Sequence, residues 1–139
     1  MDAGAEVILF DSQASPDLLS PKMYREYVLP FTQSIIEYFH QLGVRDIPLV
    51  IGGNTTRIID PLLETGANNL LCDFTADWMT WSARCREERR SVRRNMSPQF
   101  VASATPDEIF EAARQLVSEG LDLPGFIVGT AVVPYGTHT

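Results

Sequence analysis

Five times along this chain an apolar run stops at a cluster of small or polar residues. Glu6-Val7-Ile8-Leu9-Phe10 gives way to Asp11-Ser12, Pro48-Leu49-Val50-Ile51 to Gly52-Gly53-Asn54-Thr55-Thr56, and Asn69-Leu70-Leu71-Cys72 to Asp73. Val92-Arg93-Arg94-Asn95-Met96 runs into Ser97-Pro98, and Gly125-Phe126-Ile127-Val128 into Gly129-Thr130. Short apolar runs bounded by turn residues predict strands. The stretches between them have helical spacing. Ser20 is placed to cap a helix with Pro21 at its first position, and Pro30 is expected to break or kink it. Beyond Pro30, the positions Phe31, Ile35, Tyr38, Phe39 and Leu42 predict a face that packs on a sheet, closed by Gly43. A second helix begins near Thr55 or Thr56, buries Ile58, Ile59, Leu62 and Leu63, and ends at Gly66, with Pro61 making its first turn irregular. A third is expected from about Asp77 to Glu88. The fourth is the clearest: Thr105-Pro106-Asp107-Glu108 is a capping box, Ile109, Phe110, Ala113, Leu116 and Val117 predict the buried face, and Gly120 closes it.

The predicted order is strand, helix, strand throughout, with connections long enough for right-handed parallel crossovers. It implies an α/β fold of parallel βαβ units, a partial (β/α)8 TIM barrel of about five strands and four helices, with residues 1–139 as a single domain. An eight-stranded barrel needs roughly 200 residues or more, and five parallel strands leave two edges to be covered. Asp2-Ala3-Gly4-Ala5 reads like the end of a preceding helix. In such sheets ligands collect where parallel strands end and helices begin, so the five tips mark where chemistry would sit.

Composition narrows the classes. The 139 residues are 45% hydrophobic and 21% charged, which argues against disorder. No apolar run approaches the roughly 18 residues needed to span a bilayer, and Met1-Asp2-Ala3-Gly4 does not read as a signal peptide, so a cytoplasmic protein is expected. A net charge of -7 disfavours nucleic acid as a partner. Against that balance, Arg84, Arg86, Arg89, Arg90, Arg93 and Arg94 crowd together, opposed only by Glu87 and Glu88. They read as a solvated helix face and its following loop, or as a patch for an anion or a partner. Cys72 and Cys85 have no metal-ligand spacing and are expected to be free thiols.

Asp11, Ser12, Asn54, Thr55, Asp73, Asn95, Ser97 and Thr130 lie at or just beyond the predicted strand ends. Asp11 and Asp73 are the catalytic candidates, because a carboxylate directly after an apolar strand is held stiffly beside a water-poor pocket, where it can move protons. Ser12, Asn54, Thr55, Asn95 and Thr130 are candidate substrate-binding residues, although residues such as Thr55, Thr56 and Ser97 more often serve as caps and turn formers. Gly52-Gly53-Asn54-Thr55-Thr56 offers backbone N–H groups for an anion, without a Walker lysine or dinucleotide spacing. Gly129 fits either a close backbone approach to a ligand or a tight turn. His40 falls inside a helix and His138 in the tail. With no histidine at a tip, nucleophilic and metal-hydrolytic chemistry is disfavoured.

One ordered set of segments resembles a known family. Phe10-Asp11-Ser12-Gln13-Ala14-Ser15 with Leu19-Ser20-Pro21, Tyr27 through Pro30, Gly53-Asn54-Thr55, and Glu64-Thr65-Gly66-Ala67 form its first part. Asn95-Met96-Ser97-Pro98 with Thr105-Pro106-Asp107-Glu108, then Gly125-Phe126-Ile127 and Pro134, complete it. Together they resemble the uroporphyrinogen decarboxylase superfamily, which includes corrinoid-dependent methyltransferases, over the later five strands of its (β/α)8 barrel. The resemblance implies a tetrapyrrole or corrinoid-linked substrate in a cleft at the strand ends, with Ser12 matching a position near substrate in the decarboxylase branch. The thiol-activating methyltransferases bind zinc at positions that are Val50, Gly52 and Thr130 here, so no zinc is expected. The decarboxylase branch places a histidine where this chain has Thr130, and its arginine- and aspartate-bearing motif would precede Met1.

Three readings follow. The first is a zinc-less, methyltransferase-like member handling a corrinoid-bound methyl group, favoured by Asn54-Thr55. The second is decarboxylation of a tetrapyrrole acetate, for which Asp11 or Asp73 would supply the carboxylate near the ring nitrogens. The third is a non-catalytic half-barrel that binds a partner chain or an anionic ligand. The partners expected are a small tetrapyrrole or a corrinoid protein, with a homo-oligomer or a missing N-terminal half to complete the barrel, and neither nucleic acid nor membrane.

Overall fold

The computed structural model of the chain describes residues 6–11 and 14–137. Five strands form one sheet in sequence order, every neighbouring pair parallel: β1 (Leu9–Phe10), β2 (Pro48–Val50), β3 (Asn69–Cys72), β4 (Ser91–Met96) and β5 (Ile127–Thr130). Adjacent strands that never reverse require a crossover each time, and the crossovers are helical. α1 (Pro21–Met23), a π-helical turn (Tyr24–Val28) and α2 (Leu29–Gln41) link β1 to β2; a 3₁₀ turn (Thr55–Ile58) and α3 (Ile59–Glu64) link β2 to β3. α4 (Trp78–Glu87) precedes β4, and α5 (Pro98–Ser103) and α6 (Pro106–Gly120) precede β5. This is a partial (β/α) barrel.

Both prolines inside helical sequence are accommodated by a change of helix type. Pro30 has no N–H and its ring would strike the carbonyl four residues back. The wider π turn ahead of it, in which Leu29 N–H reaches Tyr24 O, lets the chain continue helically where a break or kink was expected. Before Pro61 the chain starts as the 3₁₀ turn and then relaxes into α3, the irregular first turn the sequence predicted. Asp77 caps α4, and the Thr105 and Glu108 capping box opens α6 as expected. α5, capped by Ser97, is an element the periodicity did not indicate.

Residues alternate across each strand. Leu9, Leu49, Leu70 and Val92 fall on the helix-covered side, with Trp81, Tyr24, Ile36, Ile58 and Cys85 packed behind them. Ile58, Ile59, Leu62 and Leu63 are all buried, as predicted. Two helix faces are not. Phe31, Ile35, Tyr38 and Leu42 were expected to meet the sheet, yet α2 packs through Leu29, Thr32 and Ile36 and leaves those four exposed, Phe31 at 70%. In α6, Phe110 and Val117 are exposed and Gly120 is the buried residue. Both helices flank the outer strands of the open sheet, where the next barrel unit would lie.

Candidate functional site

Register places one row of side chains at the carboxyl ends of the strands on the face that no helix covers. Phe10, Val50, Leu71, Arg93 and Ile127 form a lower layer of that face. One pleat further on, the same alternation aligns Gly52, Asp73, Asn95 and Gly129. Phe10, Val50, Leu71 and Arg93 of the lower layer and Gly52, Asp73 and Asn95 of the upper one line a hollow of about 240 Å³, which Ile8 and Val132 extend. Its floor is apolar apart from Arg93, and Asp73 and Asn95 stand above it.

Asp73 is buried at the end of β3. Its carboxylate accepts two backbone hydrogen bonds, from Gly53 N–H at 2.9 Å to Oδ2 and from Phe74 N–H at 3.0 Å to Oδ1. Gly53 adopts φ +81, and a Cβ there would lie 2.8 Å from Asp17 Oδ2, so the tip that brings its N–H to Asp73 takes a glycine. Asp73 is therefore held in one position by backbone, and among the described residues it is the one acid lining this hollow. Asn95, also buried, sits beside it on β4 and accepts at Oδ1 from Arg93 Nε at 3.1 Å. Asp73 and Asn95 border a second hollow too, of about 390 Å³, reaching Ser97, Phe100 and Gln115 beside α5 and α6.

Of the candidates from the sequence, Asp73, Asn95 and Thr130 line the open-face hollow. Thr130 belongs to β5 itself, whereas the sequence placed it beyond the strand end; its hydroxyl donates to Ala131 O at 3.1 Å and its carbonyl accepts from Arg93 Nη2 at 3.1 Å. Asp11 is not brought to this group. It continues the alternation of Leu9 and borders a small hollow with Thr32 and Ile35 on the helix side. There burial first, and then the Asp11 charge, push the Tyr24 phenol well above its ordinary value. Asn54 is exposed and accepts from Thr56 N–H as the cap of the 3₁₀ turn, while Thr55 is fully buried behind the tip. Ser12 and His138 lie outside the described residues.

The arginine cluster divides. Arg84 pairs with Asp60 at 2.9 Å and with Glu87 and Glu88, and Arg86 pairs with Asp122. Arg94 pairs with Glu119 and stacks 4.4 Å from the Trp78 ring centre. Arg93, one residue earlier, faces the hollow, and among the described residues it makes no ion pair. It is the site residue the sequence reading did not separate from its neighbours. Strand parity carries the signal, since Arg93 and Asn95 share one face and Val92 and Arg94 the other.

The three positions at which zinc ligands would be sought also line this hollow. Val50 and Gly52 offer no donor, and the Thr130 hydroxyl is turned to Ala131 O. Cys72 and Cys85 are buried, and burial pushes their thiols up to about 12 and about 11, so neither is a ready thiolate. These residues do not fit a zinc ion.

A parallel (β/α) sheet with polar residues at the strand ends defines the class: a partial TIM-barrel-type fold with one face of its sheet open. Comparison with known proteins gives the family. The model of the family described as Uroporphyrinogen decarboxylase (URO-D) matches residues 1–134, and the chain belongs to that family. It is 30% identical over 138 residues to a uroporphyrinogen decarboxylase of Salinispora tropica, an alignment covering 96% of this chain and 35% of that protein. A methylated-thiol–coenzyme M methyltransferase of Methanosarcina mazei is 27% identical over 140 residues, covering 96% and 35%. A solved methyltransferase from Methanosarcina mazei shares the fold, with a TM-score of 0.75 at 24% identity over 96% of this chain and 39% of that one. The chain spans about a third of the length of the curated relatives it matches.

Proposed function

We propose that this chain forms one wall of a tetrapyrrole-binding cleft, and that Asp73 is the carboxylate that faces the pyrrole nitrogens when an acetate arm is decarboxylated. The observation that supports this most is the pair of backbone N–H groups holding the Asp73 carboxylate at the edge of the open face, above Phe10, Val50 and Leu71. Protonation of a pyrrole carbon leaves the ring cationic. The C–C bond to the acetate carboxyl then breaks and its electron pair flows into the ring as CO₂ departs, leaving an exocyclic methylene. That carbon takes up a proton to become methyl, and the proton first added to the ring carbon leaves, restoring the neutral pyrrole. A fixed carboxylate near the ring N–H stabilises the cation, and it does so most when it need not reorganise. Asp11, turned to the helix side, is not placed for this. The remaining walls would come from the rest of a barrel or from a second copy of the chain.

The methyl-corrinoid reading is supported by the likeness to the methylated-thiol–coenzyme M methyltransferase. Of the residues that favoured it in the sequence, Asn54 caps the local turn and Thr55 is fully buried behind it. Absorbance titrations with uroporphyrin and with a cobalamin separate the two readings. The decarboxylase-type reading expects porphyrin binding that Asp73→Asn weakens about 10-fold or more. Cobalamin binding without porphyrin binding would replace it with the corrinoid reading, and binding of neither with the non-catalytic one.

A further inference from the structure

Among the described residues Arg93 makes no ion pair, although the Asp73 carboxylate lines the same hollow. On a half-buried sheet face a guanidinium loses part of its hydration, and in most folds an acid repays that loss. Here the acids nearby are otherwise engaged: Glu119 pairs with Arg94 on the opposite face of β4, and Asp73 takes its hydrogen bonds from Gly53 and Phe74. Two neutral oxygens aim the side chain instead, Asn95 Oδ1 on Nε and Thr130 O on Nη2, each at 3.1 Å. A guanidinium has five N–H donors, so most of the fork stays available. Gly129 makes the pose fit. A Cβ at that position would lie 2.7 Å from Arg93 Nε and 2.9 Å from Nη2, so the side chain rests on bare backbone of β5.

We infer that Arg93, aimed by Asn95 and seated on Gly129, is a carboxylate-binding site on the open face, and that it selects tetrapyrroles whose rim carries acid groups. This rests on the tetrapyrrole reading above and adds the ligand group that must sit beside β4 and β5. An aimed guanidinium binds a carboxylate by two parallel charge-assisted hydrogen bonds, which a neutral rim substituent cannot offer. Phe10, Val50 and Leu71 supply the apolar floor for the ring, and Arg93 fixes its orientation by one arm. The alternative role, a brace tying β4 to β5, predicts a stability effect with no ligand preference.

The test measures uroporphyrin and its octa-amide against the 139-residue chain, Arg93→Met, Arg93→Lys and Gly129→Ala by fluorescence titration. Native protein is expected to prefer the acid. Arg93→Met should weaken uroporphyrin about 10- to 100-fold and leave the octa-amide within about twofold. Arg93→Lys should recover only part of the loss, and Gly129→Ala should resemble Arg93→Met if the chain accepts the methyl group. Equal binding of uroporphyrin to native and Arg93→Met protein overturns the inference while leaving the tetrapyrrole cleft standing. A second arm uses phthalate, followed by the Arg93 side-chain NMR signal. Phthalate perturbing that signal without any tetrapyrrole bound upholds the anion site and removes the tetrapyrrole reading; perturbation by neither ligand class overturns both.

Discussion

Arg93 and Arg94 are consecutive residues of one strand and lie in two different environments. Arg94 turns to the helix-covered face, where Glu119 neutralises it and the Trp78 ring stacks on it. Arg93 turns to the open face, where two neutral oxygens orient it and no acid of the described chain pairs with it. The covered face satisfies its polar groups internally and packs its apolar ones, as a stability element does. The open face sets Asp73, Arg93 and Asn95 beside the apolar side chains of Phe10, Val50 and Leu71, the arrangement on which the proposed binding role rests.

Truncations on the two faces should separate most widely in stability. Trp81→Ala empties a fully buried site and is expected to cost about 3–5 kcal/mol. Phe10→Ala on the open face, where Phe10 is 71% exposed, should cost under about 1 kcal/mol. Urea denaturation of both variants makes the comparison, and equal losses would break it. The arginines should part in the same way on a smaller scale. Arg94→Met removes a stacked, paired cation and is expected to cost about 1–2 kcal/mol. Arg93→Met should cost less, under about 1 kcal/mol: Asn95 Oδ1 and Thr130 O lose a donor, but no paired acid is stranded.

The smallest expected effect is in pH dependence. Burial raises the Glu119 carboxyl, but its hydrogen bonds from Arg94 and Gln115 and the Arg94 charge outweigh that and leave it below its ordinary value of 4.5. A carboxyl depressed in the folded state contributes stability above its unfolded pKa and loses it as pH falls through the folded one. Stability measured downward from pH 5 should therefore fall less steeply in Glu119→Gln than in the native chain. An unchanged slope would remove the pair from the account of the covered face.

The strands and the parallel order were legible because apolar runs between turn residues are a local signal, and all five recur at the expected places. The helix faces were less so. A stripe such as Phe31, Ile35, Tyr38 and Leu42 shows that a face is apolar, not that a neighbour stands against it, and here the flank of α2 is open. At the site, proximity to a strand end gathered Asp11 and Asp73 alike. Parity separates them: Asp73 follows Leu71 onto the open face, whereas Asp11 follows Leu9 onto the covered one. The hydrogen bond from Gly53 to Asp73 joins two tips 20 residues apart, and no local pattern encodes it.

Backbone amide shifts on adding uroporphyrin test the open face as the ligand wall most directly. Changes are expected at Gly52 and Gly53, Asp73 and Phe74, Arg93 to Asn95, and Gly129 and Thr130, with α2 and α3 unmoved. Saturable binding that instead shifts α2, α3 or the Asn54 to Thr56 tip and spares those residues would contradict the account.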